Sequence, residues 1–293
     1  MAKLSREWIV AQVDRMLAVA NDRHPEFLSD CLSKPYDIAN HWDTDIDMTI
    51  VKDDSHHRYD THHTNGSDDE RVSGFCVPQH KTDDGRAQIT VYRSGFYPRD
   101  CFTILHELGH HLQNSDTQLF CALRMFNDKA SAKHAEEAAC DMFASKALMP
   151  DCVIPELENH DWTAQSVEDL FRRTQASRPA STRRIAVLLK PGSWITYIGK
   201  EGDPQLRAFS DGRTYYDVEL LPIERVALEE YKKPRTKKQR FGTHDHPERS
   251  FLIEDSDNPH IPEEPLSEGI RVSVTTSPMQ DYGNRCMFIM VGC

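Results

Sequence analysis

Two stretches of helical periodicity constrain this chain more than anything else in it. Within Asp100–Gln113, the run Phe-Thr-Ile-Leu-His-Glu-Leu-Gly-His sets His106 and His110 four residues apart with Glu107 between them, an HExxH motif. Residues four apart on an α-helix lie about 5–6 Å from each other on one face. Two imidazoles placed this way can meet one Zn²⁺ at about 2.0–2.1 Å each. Glu107 sits one step round the helix, where it reaches a water beside the metal rather than the metal, as a general base must. Asp100 stands at the expected N-cap.

An amphipathic helix can carry two histidines on one face without any metal, so the rest of the chain has to supply a third ligand. A catalytic zinc takes three protein ligands and keeps one position open. The second helical stretch, about His134–Leu148 and halted by Met149-Pro150, offers Glu137 after 26 intervening residues. Glu136 and His134 are its rivals. Asp141, four residues beyond Glu137, can accept the free ring N–H of a ligand histidine, His106 in our reading, and so fix its tautomer. HExxH followed by ExxxD on a second helix is far more specific than either part. The expected site is therefore His106, His110 and Glu137 on zinc, Glu107 as the catalytic base that later protonates the leaving amine, and Asp141 behind the ligands.

Composition sets the frame. The 293 residues are long enough for one large domain or two ordinary ones. Apolar runs such as Ile185–Leu189 and Met287–Val291 span five residues, against the roughly 20 that a transmembrane helix needs. The N-terminus breaks its apolar pattern with charges, unlike a signal peptide. The expected location is the cytoplasm, with the eight irregularly spaced cysteines reduced. A net charge of −12 argues against a general nucleic-acid coat.

Periodicity predicts a helix over 5–21 capped by Ser5, strands at 46–51, 73–77 and 87–92, and a helical region over 164–189 broken near Pro179. From Trp194 onward the pattern changes to short β-like runs at 194–198, 206–209, 214–220, 270–276 and 287–291, with a helix-like segment among them. The tract His244–Glu268 reads as irregular loop. The expected fold class is α+β, with residues 1–191 as the site-bearing domain and 192–293 as a smaller β-rich region that recognises substrate or senses a signal.

The run Glu137-Ala-Ala-Cys-Asp-Met-Phe-Ala-Ser-Lys-Ala-Leu-Met-Pro150 resembles the second signature of the ImmA/IrrE-type zinc peptidases. Strand 87–92 leading into the HExxH helix is similar to that family's approach to its active site. Pro35-Tyr-Asp-Ile-Ala39 resembles its entry segment, and residues 167–188 its helix-turn-helix-like closing segment. The resemblance spans roughly 30–190. It implies a zincin-like metallopeptidase that makes a specific cut in a regulatory protein, typically a helix-turn-helix repressor or antitoxin encoded nearby. Two other roles accompany it: the toxin of a toxin-antitoxin or phage-defence module, and a non-catalytic zinc protein that sequesters a regulator. Two features depart from the pattern. Cys101 replaces the usual arginine before Phe-Thr, and the apolar patch Leu119–Phe126 is longer than expected.

Other chemistry-bearing residues have plainer expectations. His111 points away from the metal face, into packing or solvent. Gly109 costs a helix about 1 kcal/mol against alanine, which suggests close approach by another element. Tyr92, Tyr97 and Arg99 are unranked donors for a developing oxyanion. The histidines at 56, 57, 62 and 63 lie in a solvated loop, the basic run Lys232–Arg240 is a linker or docking patch, and no second metal site is expected. Neither membrane contact nor direct nucleic-acid binding is expected.

Overall fold

A computed structural model describes residues 4–38, 42, 45–51, 73–94, 96–154, 162–199, 201–233, 249–253, 270–278 and 285–292. Its contacts divide into two compact units, residues 1–151 with 174–176, and residues 152–173 with 177–293. Among the described residues the seven cysteines are free thiols, and no helix is long and apolar enough to cross a membrane. The histidine loop and most of the basic run lie outside the described residues, as do the histidines and the cysteine beyond residue 243 weighed for a second metal site, Cys286 excepted.

The first unit begins with α1 (Arg6–Arg23), whose Ser5 cap accepts the Trp8 N–H, and α2 (Phe27–Ser33). Three strands follow at the expected places: β1 (Ile46–Val51), β2 (Gly74–Val77) and β3 (Ala87–Tyr92). They form a sheet in the order β1-β3-β2, with β1 parallel and β2 antiparallel to β3. Ala87, Ile89 and Val91 alternate inward along β3, as a half-buried strand requires.

Three helices complete the unit: α3 (Tyr97–Ser115), α4 (Thr117–Arg124) and α5 (Lys129–Leu148). Asp100 does not cap α3. It lies in the first turn, where Oδ1 accepts from the Ser94 N–H and hydroxyl and Oδ2 from the Tyr36 hydroxyl, tying the preceding loop to the helix. The helix starts at Tyr97, so Asp100 lies inside it and its carboxylate serves the loop rather than the helix end. Asp116 caps α4 through the Gln118 and Leu119 N–H groups. The long apolar patch is this helix. Leu123 and Phe126 pack with Ala135 against Leu4 and Trp8.

The buried side of α5 is mostly small, with Ala135, Ala139, Cys140, Ala144 and Ala147 beside Phe143 and Leu148, which lets α3 and α1 come close. A Cβ on Gly109 would stand 3.1 Å from both Cys140 Sγ and Met16 Cε. The helix-unfriendly residue sits where three helices converge.

In the second unit, α6 (Ala164–Arg173) and α7 (Arg178–Ala186) precede β4 (Trp194–Ile198), β5 (Pro204–Phe209), β6 (Thr214–Tyr216), α8 (Pro222–Lys232), β7 (Arg249–Ile253), β8 (Ile270–Pro278) and β9 (Arg285–Gly292). The sheet is antiparallel in the order β6-β5-β4-β9-β8-β7. On one face Ile223 and Ala227 of α8 pack with Trp194, Ile198, Val272, Val274, Ile289 and Val291. On the other, polar side chains of β8 hold the helices: Ser273 accepts the Ala164 N–H, Thr275 donates to Gln165 and Ser277 accepts from Arg178. Alternation along β8 puts these two sets on opposite faces.

Three expectations change here. Contacts group helices 164–173 and 178–186 with the C-terminal sheet, in a unit that starts after Asp151 rather than near Pro191-Gly192 and adds these helices to the expected β-rich region. Amphipathic periodicity says that a helix packs, not on which sheet. Strand β7 falls inside the tract expected to be loop, because its pairing with β8 is non-local. The strand expected over 214–220 ends at Tyr216, where Asp217 turns the chain with φ 50°.

Candidate metal centre

His106, His110 and Glu137 come together across α3 and α5. Among the described residues they form the group of His, Cys, Asp or Glu side chains able to hold a metal ion, with ligand atoms within 4.8 Å of one another. The two Nε2 atoms are 3.2 Å apart. Glu137 Oε2 lies 3.3 Å from His106 Nε2 and 3.5 Å from His110 Nε2. Ligands at about 2.0–2.1 Å on a tetrahedral ion stand about 3.3–3.4 Å from one another. The three observed separations are therefore those of one face of such a tetrahedron, and the residues fit the ion.

The remaining ring nitrogens are also occupied. His106 Nδ1 lies 2.9 Å from Asp141 Oδ1, the pairing expected from the ExxxD spacing. His110 Nδ1 lies 2.9 Å from Glu136 Oε1. Glu136, weighed as a rival ligand, thus meets the back of a histidine. His134 is exposed. Acceptors on both Nδ1 atoms leave Nδ1–H and a free Nε2 as the tautomer that suits metal binding. Gln113 steadies the second pairing by donating to the Glu136 carbonyl and to Cys140 Sγ, and it accepts in turn from Gln12.

The electrostatics follow. Burial works to lower the His106 pKa, but bonds to Asp141 and Glu137 outweigh it and raise the imidazole to about 9. His110 is likewise pulled down by burial and lifted well above the usual imidazole range by Cys140, Glu136 and Glu137. The histidines' hydrogen bonds hold Glu137 far below the ordinary carboxylate range. Glu107 is 6% exposed, and burial raises its pKa against the pull of both imidazoles. A protonatable carboxyl beside a metal-ligand triad is suited to carry protons.

Gly74 is a site residue the sequence did not disclose. A Cβ there would lie 2.7 Å from Thr103 Cγ2, 3.0 Å from the Thr90 carbonyl and 3.1 Å from Glu107 Cγ. Only glycine lets β2 lie this close to the HExxH helix. Its signal, a glycine inside a strand pattern, was present. Glu136 gave less warning, being a second acid beside Glu137.

The three oxyanion candidates make contacts away from the triad. Tyr92 packs near Phe75 with ring centroids 6.4 Å apart, Tyr97 stacks on Tyr36 at 5.2 Å, and Arg99 donates to Ser73 Oγ at 2.9 Å. His111 is packed, as one of its two expected fates: it is 1% exposed, with Nε2 2.9 Å from Asp45 Oδ2, an oxygen that also accepts from Arg23.

Residues 52–185 match the protein-family model Peptidase M78, described as the IrrE N-terminal-like domain. No curated protein sequence matches the chain. A solved structure, a Mycobacterium tuberculosis transcriptional regulator, is similar at 12% identity and a TM-score of 0.44, over 98% of this chain and 88% of that one.

Proposed function

Because residues 52–185 carry an IrrE N-terminal-like domain of the ImmA/IrrE family, we propose that this protein is a zinc-dependent endopeptidase that makes a specific cut in a regulatory protein. The observation that carries the reading is the set of 3.2, 3.3 and 3.5 Å separations in the triad, with buried Glu107 next along the helix. His106, His110 and Glu137 hold the ion. When bound, it supplies Lewis acidity that polarises a carbonyl and acidifies a water.

Glu107 accepts the proton of the attacking water and delivers it to the leaving amine nitrogen. Its raised pKa suits both halves of that task, because a carboxyl nearer neutrality is a better base and a more available acid. Asp141 and Glu136 hold the two imidazoles by their Nδ1–H groups. Strand β2 lies against the same helix, and among the described residues only β3 pairs with it. An extended peptide can add to its other edge through backbone hydrogen bonds, which favours a polypeptide substrate. We assign the second unit to substrate recognition or sensing, and the substrate to a helix-turn-helix regulator encoded nearby.

The test compares new protein N-termini in cells expressing the wild type and the Glu107→Gln variant, with zinc measured in both purified proteins. A small set of cuts found only with the wild type, at equal zinc content, is the expected result. Identical N-termini in both cultures, with zinc in both proteins, would sink the peptidase reading in favour of sequestration.

A further inference from the structure

The HExxH helix carries a charge near its start that the chemistry above does not use. Arg99 is exposed at the start of α3. Seven residues separate it from His106, nearly two helical turns, so the two share a face of the helix about 10 Å apart. Phe102 lies between them on that face, its ring centroid 6.1 Å from that of His106.

The contacts of β2 fix its direction beside the helix. Ser73, just before the strand, receives the Arg99 guanidinium, while Gly74 stands against Thr103 and Glu107. Strand and helix therefore run in the same sense, with Arg99 beside the start of β2. In the edge-binding mode proposed above, a peptide reaching the triad runs along the strand and helix that hold Arg99.

Charge along this path is one-sided. Glu136, Glu137 and Asp141 crowd the triad from α5. Arg99 donates to a neutral hydroxyl, and among the described residues no carboxylate pairs with it. In a chain with 47 acidic and 35 basic residues, many arginines do find one: Arg15, Arg23, Arg172, Arg207 and Arg213 all pair with carboxylates.

Resting on the peptidase reading, we infer that Arg99 is a specificity-determining residue that selects substrates carrying an Asp or Glu side chain two to four residues from the scissile bond. The spacing follows from about 10 Å of helix divided by the rise of an extended peptide, about 3.3 Å per residue. Arg99 makes an ion pair with that side chain and leaves the chemistry at the triad untouched.

A library of octapeptides, with Glu, Gln or Lys scanned through every position on both sides of the cut, tests this with zinc-loaded protein. Cleavage is followed with the wild type, and binding by fluorescence anisotropy with the Glu107→Gln variant. At one position the wild type should favour Glu over Lys on the order of fivefold, chiefly through KM, as a partly exposed ion pair allows. Arg99→Gln should abolish the discrimination and Arg99→Glu should invert it, in cleavage and in binding. Ser73→Ala removes the contact seen in the structure and should keep the discrimination. Arg99→Gln and Ser73→Ala behaving alike would reduce the arginine to a structural tie and overturn the inference. Glu107-dependent cleavage without an acidic preference overturns the inference and leaves the peptidase reading standing. No cleavage and no binding of any peptide overturns both.

Discussion

His110 is gripped on both ring nitrogens by consecutive residues of α5: Glu136 Oε1 lies 2.9 Å from Nδ1 and Glu137 Oε2 lies 3.5 Å from Nε2. His106 is held in the same manner by Asp141 and Glu137. One helix thus supplies a ligand and the orientation of the two others.

Removing either orienting carboxylate should therefore loosen the metal without removing a ligand. Glu136→Gln and Asp141→Asn should each weaken zinc binding by about 10–100-fold, whereas His106→Ala should abolish stoichiometric binding. Competition against a chromophoric chelator measures all three. Wild-type affinity in both orienting variants would show that the pairings are incidental.

Metal binding should also displace protons. Without an ion His106 titrates near 9, and the ligand form is the neutral ring. Affinity should rise with pH through the His106 titration near 9, with His110, also raised, adding to the rise, and calorimetry in buffers of different ionisation enthalpy should detect proton release at pH 7.

The same titration gives a stability signature in metal-free protein. His106 has a higher pKa folded, about 9, than its ordinary 6.5, so its contribution is complete below about 6.5 and is lost as pH rises through about 9. Metal-free protein should melt at progressively lower temperature from pH 7 to 9.5, and zinc should remove that slope. A flat profile without zinc would contradict the pairing of His106 with Asp141 and Glu137.

Gly74→Ala should harm both stability and catalysis, because its Cβ would press on Thr103 and on the base Glu107. Overpacking of this kind costs about 1–3 kcal/mol. Adding Thr103→Ser removes the nearest methyl and should restore part of the loss, with the Thr90 carbonyl still crowded. Thermal melts and peptide cleavage by the single and double variants decide it.

In the second unit, Glu224 is fully buried and accepts from Trp194 Nε1, Thr196 Oγ1, Arg207 and the Leu221 N–H. Glu224→Gln would leave the Arg207 guanidinium, 6% exposed, without its counter-charge. Breaking a buried pair costs about 3–5 kcal/mol, so urea should unfold this variant at a much lower midpoint.

What the sequence disclosed and what it withheld divide along physical lines. His106, His110, Glu137 and Asp141 were legible because their relation is a helical spacing, a property of a few consecutive residues. Strands 46–51, 87–92 and 194–198 were legible because alternation or apolar content is equally local. Glu136 was not, since the crossing of α3 and α5 decides which acid reaches which nitrogen. Gly74 acquired its role only when β2 was laid against α3. Strand β7 depends on a partner well downstream, and the packing of helices 164–186 on the C-terminal sheet depends on a surface not yet made when those helices appear in the sequence.

The order β6-β5-β4-β9-β8-β7 joins two chain-local pieces, strands β4 to β6 and strands β7 to β8, through β9 alone. Trp194 finds Val291, and Val272 finds the same residue from the other side. A ribosome must therefore deliver residue 292 before this sheet can close, while every element of the triad-bearing unit, residues 174–176 included, has long since emerged. During synthesis the triad-bearing half is complete first, and the half assigned to recognition stays two unjoined fragments until β9 arrives between them.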